Sequence, residues 1–363
     1  MLVILWDPDT LLHKTVELLG SNLIPALESP ERLEAILKAL HNSEYRAGTR
    51  PLSSLWEGPK SRLLELTSET HGHEYLRHLR NVYEEWLSAG LIEQDGHVLP
   101  ECFVFPTSTG KPLRPPRDLF ARAGYYAFDM SSGIMSESYR AMIASANLAC
   151  EGTDMLCGFD DRPNDIDTVV ALCRPPGHHC DGQRAGGYCY INNAALAVST
   201  WRSHQSDAQI GILDIDFHHG NGTQEIFYAD AKVLYVSIHG EDEFPYYTGV
   251  EDETGSGEGK GMNINLPLKV GSPIEEYLEK LDYGLKKLVE FKTEFLIVSL
   301  GFDTFHADPL GHFQVHTEDY ETIARTTRQA LKEVPALVLL EGGYVIEHIG
   351  ANMLSFLKGW KSA

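Results

Sequence analysis

From Thr168 to Leu340 the sequence alternates short, β-rich apolar runs with longer amphipathic stretches, and this alternation restricts the possible folds more than any other feature. The runs are Thr168 to Cys173, Gln209 to Ile215, Lys232 to Ile238, Met262 to Leu266, Phe295 to Leu300 and Ala336 to Leu340. They are apolar along most of their length rather than at every second position, the pattern of strands buried on both faces of a parallel sheet. Between them, Pro273 to Phe291 carries Ile274, Tyr277, Leu278 and Leu281 at helical spacing, and Thr317 to Lys332 is amphipathic as well. Leu2 to Trp6 is a further candidate strand, and Ser29–Pro30–Glu31 ahead of Leu33, Ile36, Leu37 and Leu40 marks a capped helix start. The alternation predicts an open α/β fold, a central, mainly parallel sheet flanked by helices. No linker or internal repeat divides it, so the expectation is a single domain over residues 1–363. Leu99 to Asp118, with five prolines and no periodicity, reads as a long irregular loop, a lid or an interface element.

In such a sheet the binding crevice lies at the carboxyl ends of the strands, and polar clusters fall there repeatedly. Arg174–Pro–Pro–Gly–His178–His179 follows the first run, and Asp214–Ile–Asp216–Phe–His218–His219–Gly–Asn221 ends the second. Gly301–Phe–Asp303 follows the fifth and Glu341–Gly–Gly–Tyr344 the sixth. Asp214, Asp216 and His218 alternate, so an unbroken strand would put them on one face. Carboxylates with an imidazole suit zinc and neighbouring divalent metals, and Asp303 offers a further ligand from another strand. Three protein ligands with open positions describe a catalytic metal, the alternative being a buried Asp–His hydrogen-bond network. The tandem His178–His179 supplies imidazoles to act as base for a metal-activated water. The Gly186–Gly187 pair lets the backbone pass close to a ligand, with Tyr188 as a flat wall.

The chain has 52 Asp and Glu against 30 Lys and Arg, a formal net charge of −22. So large an acidic excess excludes a nucleic-acid binder, which needs cations to neutralise phosphates, and leaves a cationic partner open. No apolar run approaches the ~20 residues of a membrane helix, so no membrane partner is expected. The N-terminus carries no secretory leader pattern and the six cysteines no C-x-x-C pair, which makes a reducing, cytoplasmic setting the expectation.

The segments CRPPGHH, GGYCYINNAA, ILDIDFHHGNGTQEIFY, SLGFDTFHADPLG and EGGY resemble the histone deacetylase superfamily, zinc-dependent amidohydrolases on an arginase-like α/β fold. The acetylpolyamine amidohydrolase branch is the most similar, through Gly124–Tyr125–Tyr126, Glu253–Thr254–Gly255 and Glu347–Ile349–Gly350. The resemblance implies zinc (Zn2+) on Asp216, His218 and Asp303, although this ligand set also accepts Fe2+ or Co2+. It implies His179 as general base oriented by Asn221, His178 as its electrostatic partner oriented by Asp214, and Tyr344 as oxyanion donor. A structural monovalent cation, usually potassium (K+), is implied at Asp214, Ser237, Ile238 and the backbone of Asp216 and His218. Tyr188, Phe244 and Gly187 would line the substrate channel, while His71, Tyr75 and Leu76 match a packing segment.

The implied substrate is a small cationic acetylated amine, most of all an acetylpolyamine, and the alternative is a protein lysine deacetylase acting on acyl-lysine peptides. The family places acidic residues where this chain has Phe120 and Ser131; Asp118, Asp129 or Glu101 are the substitutes available. The Pro-rich loop matches the insertion that narrows the channel and builds a homodimer. A non-catalytic acyl-binding protein would lack Tyr344 or a metal ligand, and a two-manganese ureohydrolase would show D-x-H-x-D in place of DIDFHH.

Overall fold

A computed structural model describes residues 1–51, 67–105, 113–157 and 165–363. Its main sheet has eight strands, all paired in parallel. They are β1 (Leu2–Trp6), β4 (Thr49–Pro51), β5 (Thr168–Ala171), β6 (Ile210–Asp214), β7 (Val233–Gly240), β8 (Asn263–Leu268), β9 (Phe295–Leu300) and β10 (Ala336–Leu340). The spatial order is β4-β1-β5-β10-β9-β6-β7-β8, and β2 (Val16–Leu19) and β3 (Asn22–Pro25) form a separate antiparallel hairpin. The single α/β domain expected from the alternation is what the chain forms.

Because strand side chains alternate between faces, the central strands feed two cores. Val298, Val338 and Leu213 point to one, packed against α1 (Pro30–His41), α7 (Ile274–Glu290), α8 (Asp319–Ala330) and α9 (Ile346–Lys361). Ile297, Leu337 and Ile212 point to the other, under α4 (Ser138–Cys157), α5 (Asn193–His204) and the short α6 (Asn221–Phe227). A third apolar cluster joins α2 (His73–Ser88) and α3 (Leu119–Tyr125) to one end of α4. Helix α4 has no sequence signature of amphipathicity because it is buried nearly all round, from Ala141 to Leu156, and so shows no polar stripe. The start of α1 falls at Pro30 as expected, but the Ser29 side chain makes no capping hydrogen bond.

The second run departs from expectation in a way that builds the site. The strand stops at Asp214, so Asp214, Asp216 and His218 do not share one face. Carboxylates take over the ladder beyond it: Asp214 accepts from the Asp216 N–H at 3.2 Å, Asp303 from Phe217 at 2.9 Å, and Asp216 from His218 at 2.9 Å. Side-chain acceptors thus replace a neighbouring strand and turn Asp216 and His218 away from Asp214. Of the Pro-rich loop, residues 106–112 lie outside the described residues; on either side Val104, Phe105 and Leu113 are exposed.

Ile297 sits at the centre of β9 with no exposed surface. Ile297→Ala should cost about 2–5 kcal/mol, seen as a lower urea midpoint, whereas an unchanged midpoint would remove β9 from the core.

Candidate active site and metal centre

Four adjacent strands, β5, β10, β9 and β6, end on one crevice. The loops after them carry His178 and His179, Glu341 to Tyr344, Asp303, and Asp216 with His218. Positions as far as 126 residues apart in the sequence are thereby brought into contact: His218 Nδ1 lies 3.2 Å from Asp216 Oδ1 and 3.0 Å from Asp303 Oδ2, and Gly342 N donates to Asp216 Oδ2 at 2.8 Å.

The chemistry of this cluster demands a positive charge. His218 Nε2 is 3.1 Å from the Leu310 carbonyl oxygen, which only accepts, so Nε2 carries the hydrogen and Nδ1 offers a lone pair. That lone pair faces two carboxylates, all three residues are buried, and their ligand atoms lie within 4.8 Å of one another. Burial alone would lower the His218 pKa, yet Asp216 and Asp303 push it up to about 10. Burial and the Asp216 charge push Asp303 up to about 7. A Cβ at Gly301 or Gly342 would strike the Asp216 and Asp303 carboxylates, so both glycines keep space around the cluster. The residues fit a divalent metal, and among the described residues no other group of this kind is assembled.

Beside it the two tandem histidines are held in different states. Asn221 Nδ2 donates to the His179 carbonyl at 3.3 Å, which fixes the amide with Oδ1 on His179 Nδ1 at 2.8 Å. His179 is therefore protonated on Nδ1 and presents a bare Nε2. Burial, with the charges of His178 and His218, holds its pKa well below the ordinary value. His178 has Asp214 Oδ2 at 3.1 Å and Asp216 at 3.7 Å, and against its burial these carboxylates raise it to about 10. The rings are 4.0 Å apart, so one cation sits directly against one neutral base.

Aromatic side chains frame the approach. Phe244 stands edge-on to His179 at 5.0 Å and lies 6.1 Å from Phe128, while Tyr188 meets Tyr344 at 5.8 Å. Gly187, at φ +53°, passes so close to His179 that a Cβ would collide with the ring. The backbone closeness expected of the Gly186–Gly187 pair is thus to the His179 imidazole and to Phe128. Gly187 N donates to half-buried Asp129 at 2.8 Å, and Ser131 Oγ donates to the same carboxylate. The expected substitutes for an acidic reader are occupied in part: Asp118 caps α3 through Ala121 N, and Asp129 holds this turn. Phe120 packs edge-on against Trp86, at 4.8 Å. A carboxylate that sequence reasoning missed, Glu17 on β2, accepts from the Tyr188 hydroxyl at 2.8 Å.

Sequence reasoning also missed the residues that hold the Tyr344 loop. Arg32 on α1 donates to the carbonyls of Gly343 and Glu341, each at 2.6 Å, and its guanidinium lies 4.9 Å from the Tyr344 ring centroid. Glu28 binds Arg32 at 2.8 Å and Arg174 at 2.9 Å; burial favours its neutral form, but the two cations keep it ionised. Asp308 accepts the Tyr344 N–H at 2.6 Å. The available signal was a charged residue on an apolar helix face, because Arg32 precedes Ile36 by one turn. His71 and Tyr75 pack as expected: His71 Nε2 accepts from Asn192 N at 3.1 Å and the Tyr75 hydroxyl donates to Tyr190 O at 2.7 Å. Asp214 and Ser237 are register partners across β6 and β7, and Asp214 also accepts from Tyr235 at 2.9 Å.

Replacing His218 with Ala should take the bound divalent metal from ~1 ion per chain to near zero in elemental analysis, with the fold kept; full metal retention would contradict the assignment.

Residues 26–360 match the family described as the histone deacetylase domain. The sequence is 36% identical over 366 residues to acetylpolyamine amidohydrolase 2 of Pseudomonas aeruginosa, covering 99% of each chain. It is 36% identical over 361 residues to the acetylpolyamine amidohydrolase of Mycoplana ramosa, again covering 99% of each. The crystal structure of acetylpolyamine aminohydrolase from Burkholderia pseudomallei superposes with a TM-score of 0.86 at 32% identity, over 100% of this chain and 99% of that one. With the arginase/deacetylase-like sheet and its crevice, these likenesses place the chain in the histone deacetylase family, as an amide-cleaving deacetylase.

Proposed function

We propose that this deacetylase removes acetyl groups from small cationic amines, acetylpolyamines above all. The observation that carries the reading is the grouping of Tyr188, Phe244 and Phe128 as aromatic walls beside His179, Tyr344 and the Asp216–His218–Asp303 cluster, with the Glu17 carboxylate on Tyr188. An alkyl stem suits such walls, and a carboxylate beside them suits an ammonium. The relatives named as acetylpolyamine amidohydrolases match this chain from end to end, which supports the same substrate class.

We take the metal to be zinc, because two carboxylates and one imidazole leave open positions of the catalytic kind. When bound, the ion polarises the acetyl carbonyl and lowers the pKa of water towards ~7. His179 takes the attacking water's proton on Nε2, the nitrogen that Asn221 leaves free. His178, held cationic by Asp214 and Asp216, keeps His179 neutral and balances the negative charge that develops beside it. Tyr344 donates its hydroxyl hydrogen to the developing oxyanion; burial raises its pKa, so the proton stays available. The same proton on His179 is then within the site to neutralise the leaving amine. Asp214 with Ser237, Ile238 and the backbone of Asp216 and His218 would hold a structural potassium ion, a reading supported by the Asp214–Ser237 register pair. Exposed Val104, Phe105 and Leu113 on the Pro-rich loop support a homodimer. We place the enzyme in the cytoplasm; no helix among the described residues is long and apolar enough to cross a membrane.

Tyr344→Phe should lower kcat by about 10²–10³ while metal content and KM stay near wild type; unchanged turnover would remove Tyr344 from the chemistry. Substrate class is tested by kcat/KM for acetylputrescine, acetylspermidine, acetylcadaverine and an acetyl-lysine peptide side by side. A polyamine should lead; a peptide ahead of every polyamine by about tenfold, some 1.4 kcal/mol, would make this a protein lysine deacetylase instead.

A further inference from the structure

Glu341 follows β10 directly, is fully buried, and has no part in the chemistry above. Its Oε2 accepts the backbone N–H groups of Gly177 at 2.8 Å and His178 at 3.2 Å, while Oε1 has no partner among the described residues. A half-satisfied buried carboxylate is a poor stabilising device, because desolvation costs more than two hydrogen bonds return. Burial accordingly pushes its pKa up to about 7.

The main chain of Glu341 is immobilised from two sides. Its N–H donates to Leu300 O at the end of β9 at 2.9 Å, and its carbonyl accepts from Arg32 at 2.6 Å. Arg32 also holds Gly343 O and faces the Tyr344 ring, so Glu341 belongs to the fixed frame of the oxyanion donor. The turn it reaches is confined elsewhere: Thr223 N donates to His178 O at 3.1 Å, and a Cβ on Gly177 would meet Asn193 N at 2.5 Å. Among the described residues, the Glu341 carboxylate alone ties the N–H groups of that turn to the end of β10.

We propose that Glu341 is a positioning residue that sets the place of the His178–His179 turn relative to Tyr344, and so the spacing between general base and oxyanion donor. The inference rests on the roles given to His179 and Tyr344. The contacts are to backbone, and Asp216 and Asp214 hold His178 cationic ahead of Glu341, so the oxygen at this position matters more than its negative charge. Glu341→Gln keeps an oxygen able to accept from both N–H groups; Glu341→Ala removes it.

The test is steady-state kinetics of both variants, on whichever of acetylputrescine or the acetyl-lysine peptide turns over faster, with zinc content and Tm measured on the same samples. Glu341→Ala should lower kcat by about 10²-fold, the cost of roughly 1 Å of misplacement, with KM within about threefold and zinc retained. Glu341→Gln should recover most of the loss. Wild-type kcat in Glu341→Ala, a Gln variant as slow as the Ala variant, or a rate loss that merely follows lost zinc would each overturn the proposal. If the Ala variant does not fold, Glu341→Asp, which withdraws the acceptor by one methylene, decides: a kcat close to wild type overturns it and a fall in kcat at constant KM supports it. A fully active Tyr344→Phe would instead mean that the underlying roles are wrong, whatever Glu341 does.

Discussion

At the carboxyl end of β6 and β9, a bare imidazole nitrogen of His218 and the carboxylates of Asp216 and Asp303 point at one another in a buried space. Such a convergence is repulsive until a positive charge, a proton on Nδ1 or a metal ion, occupies it, and much of the surrounding architecture follows from accommodating it. The strand β6 ends early because these carboxylates capture backbone N–H groups. Gly301 and Gly342 lack side chains because any would enter the cluster. His178, beside the same carboxylates, is kept cationic by Asp216 and Asp214 rather than by solvent.

The pairing of a charged His178 with a neutral His179 extends the same electrostatics one step outward. Two identical side chains 4.0 Å apart are given opposite roles by their partners, a carboxylate for one and an amide oxygen for the other. The opposite wall depends on a separate buried network, Glu28 with Arg32 and Arg174, that grips the loop carrying Tyr344. The two halves of the site thus hang from different parts of the chain. Their common support is the sheet, whose four central strands all end on the crevice.

How much of this the residues disclosed in advance follows from the kind of pattern each part obeys. β9 and β10 coincide with the apolar runs Phe295 to Leu300 and Ala336 to Leu340, because central parallel strands carry an uninterrupted apolar signature. The clusters at His178, Asp216, Asp303 and Tyr344 stood out because each directly follows such a run. Helix α4 was silent because complete burial erases periodicity. Arg32 and Glu28 lie at a helix start, where charged residues are ordinary, and Glu17, Phe128 and Asp129 sit in short or irregular segments where no spacing predicts contact. The break in β6 at Asp214 was hidden since an alternating D-I-D-F-H is as good a strand as the sequence contains; only the side-chain acceptors of the folded state end it.

The acidity of the chain, −22 overall, fits the proposed cationic substrate, which such a field would draw in. The central claim is that the Asp216–His218–Asp303 cluster is a metal site beside the aromatic walls. Anomalous diffraction from a zinc-loaded crystal at the zinc absorption edge tests it most directly. The account predicts one strong peak bounded by Asp216, His218 Nδ1 and Asp303; a cradle without a peak, or zinc bound only elsewhere on the chain, would contradict it.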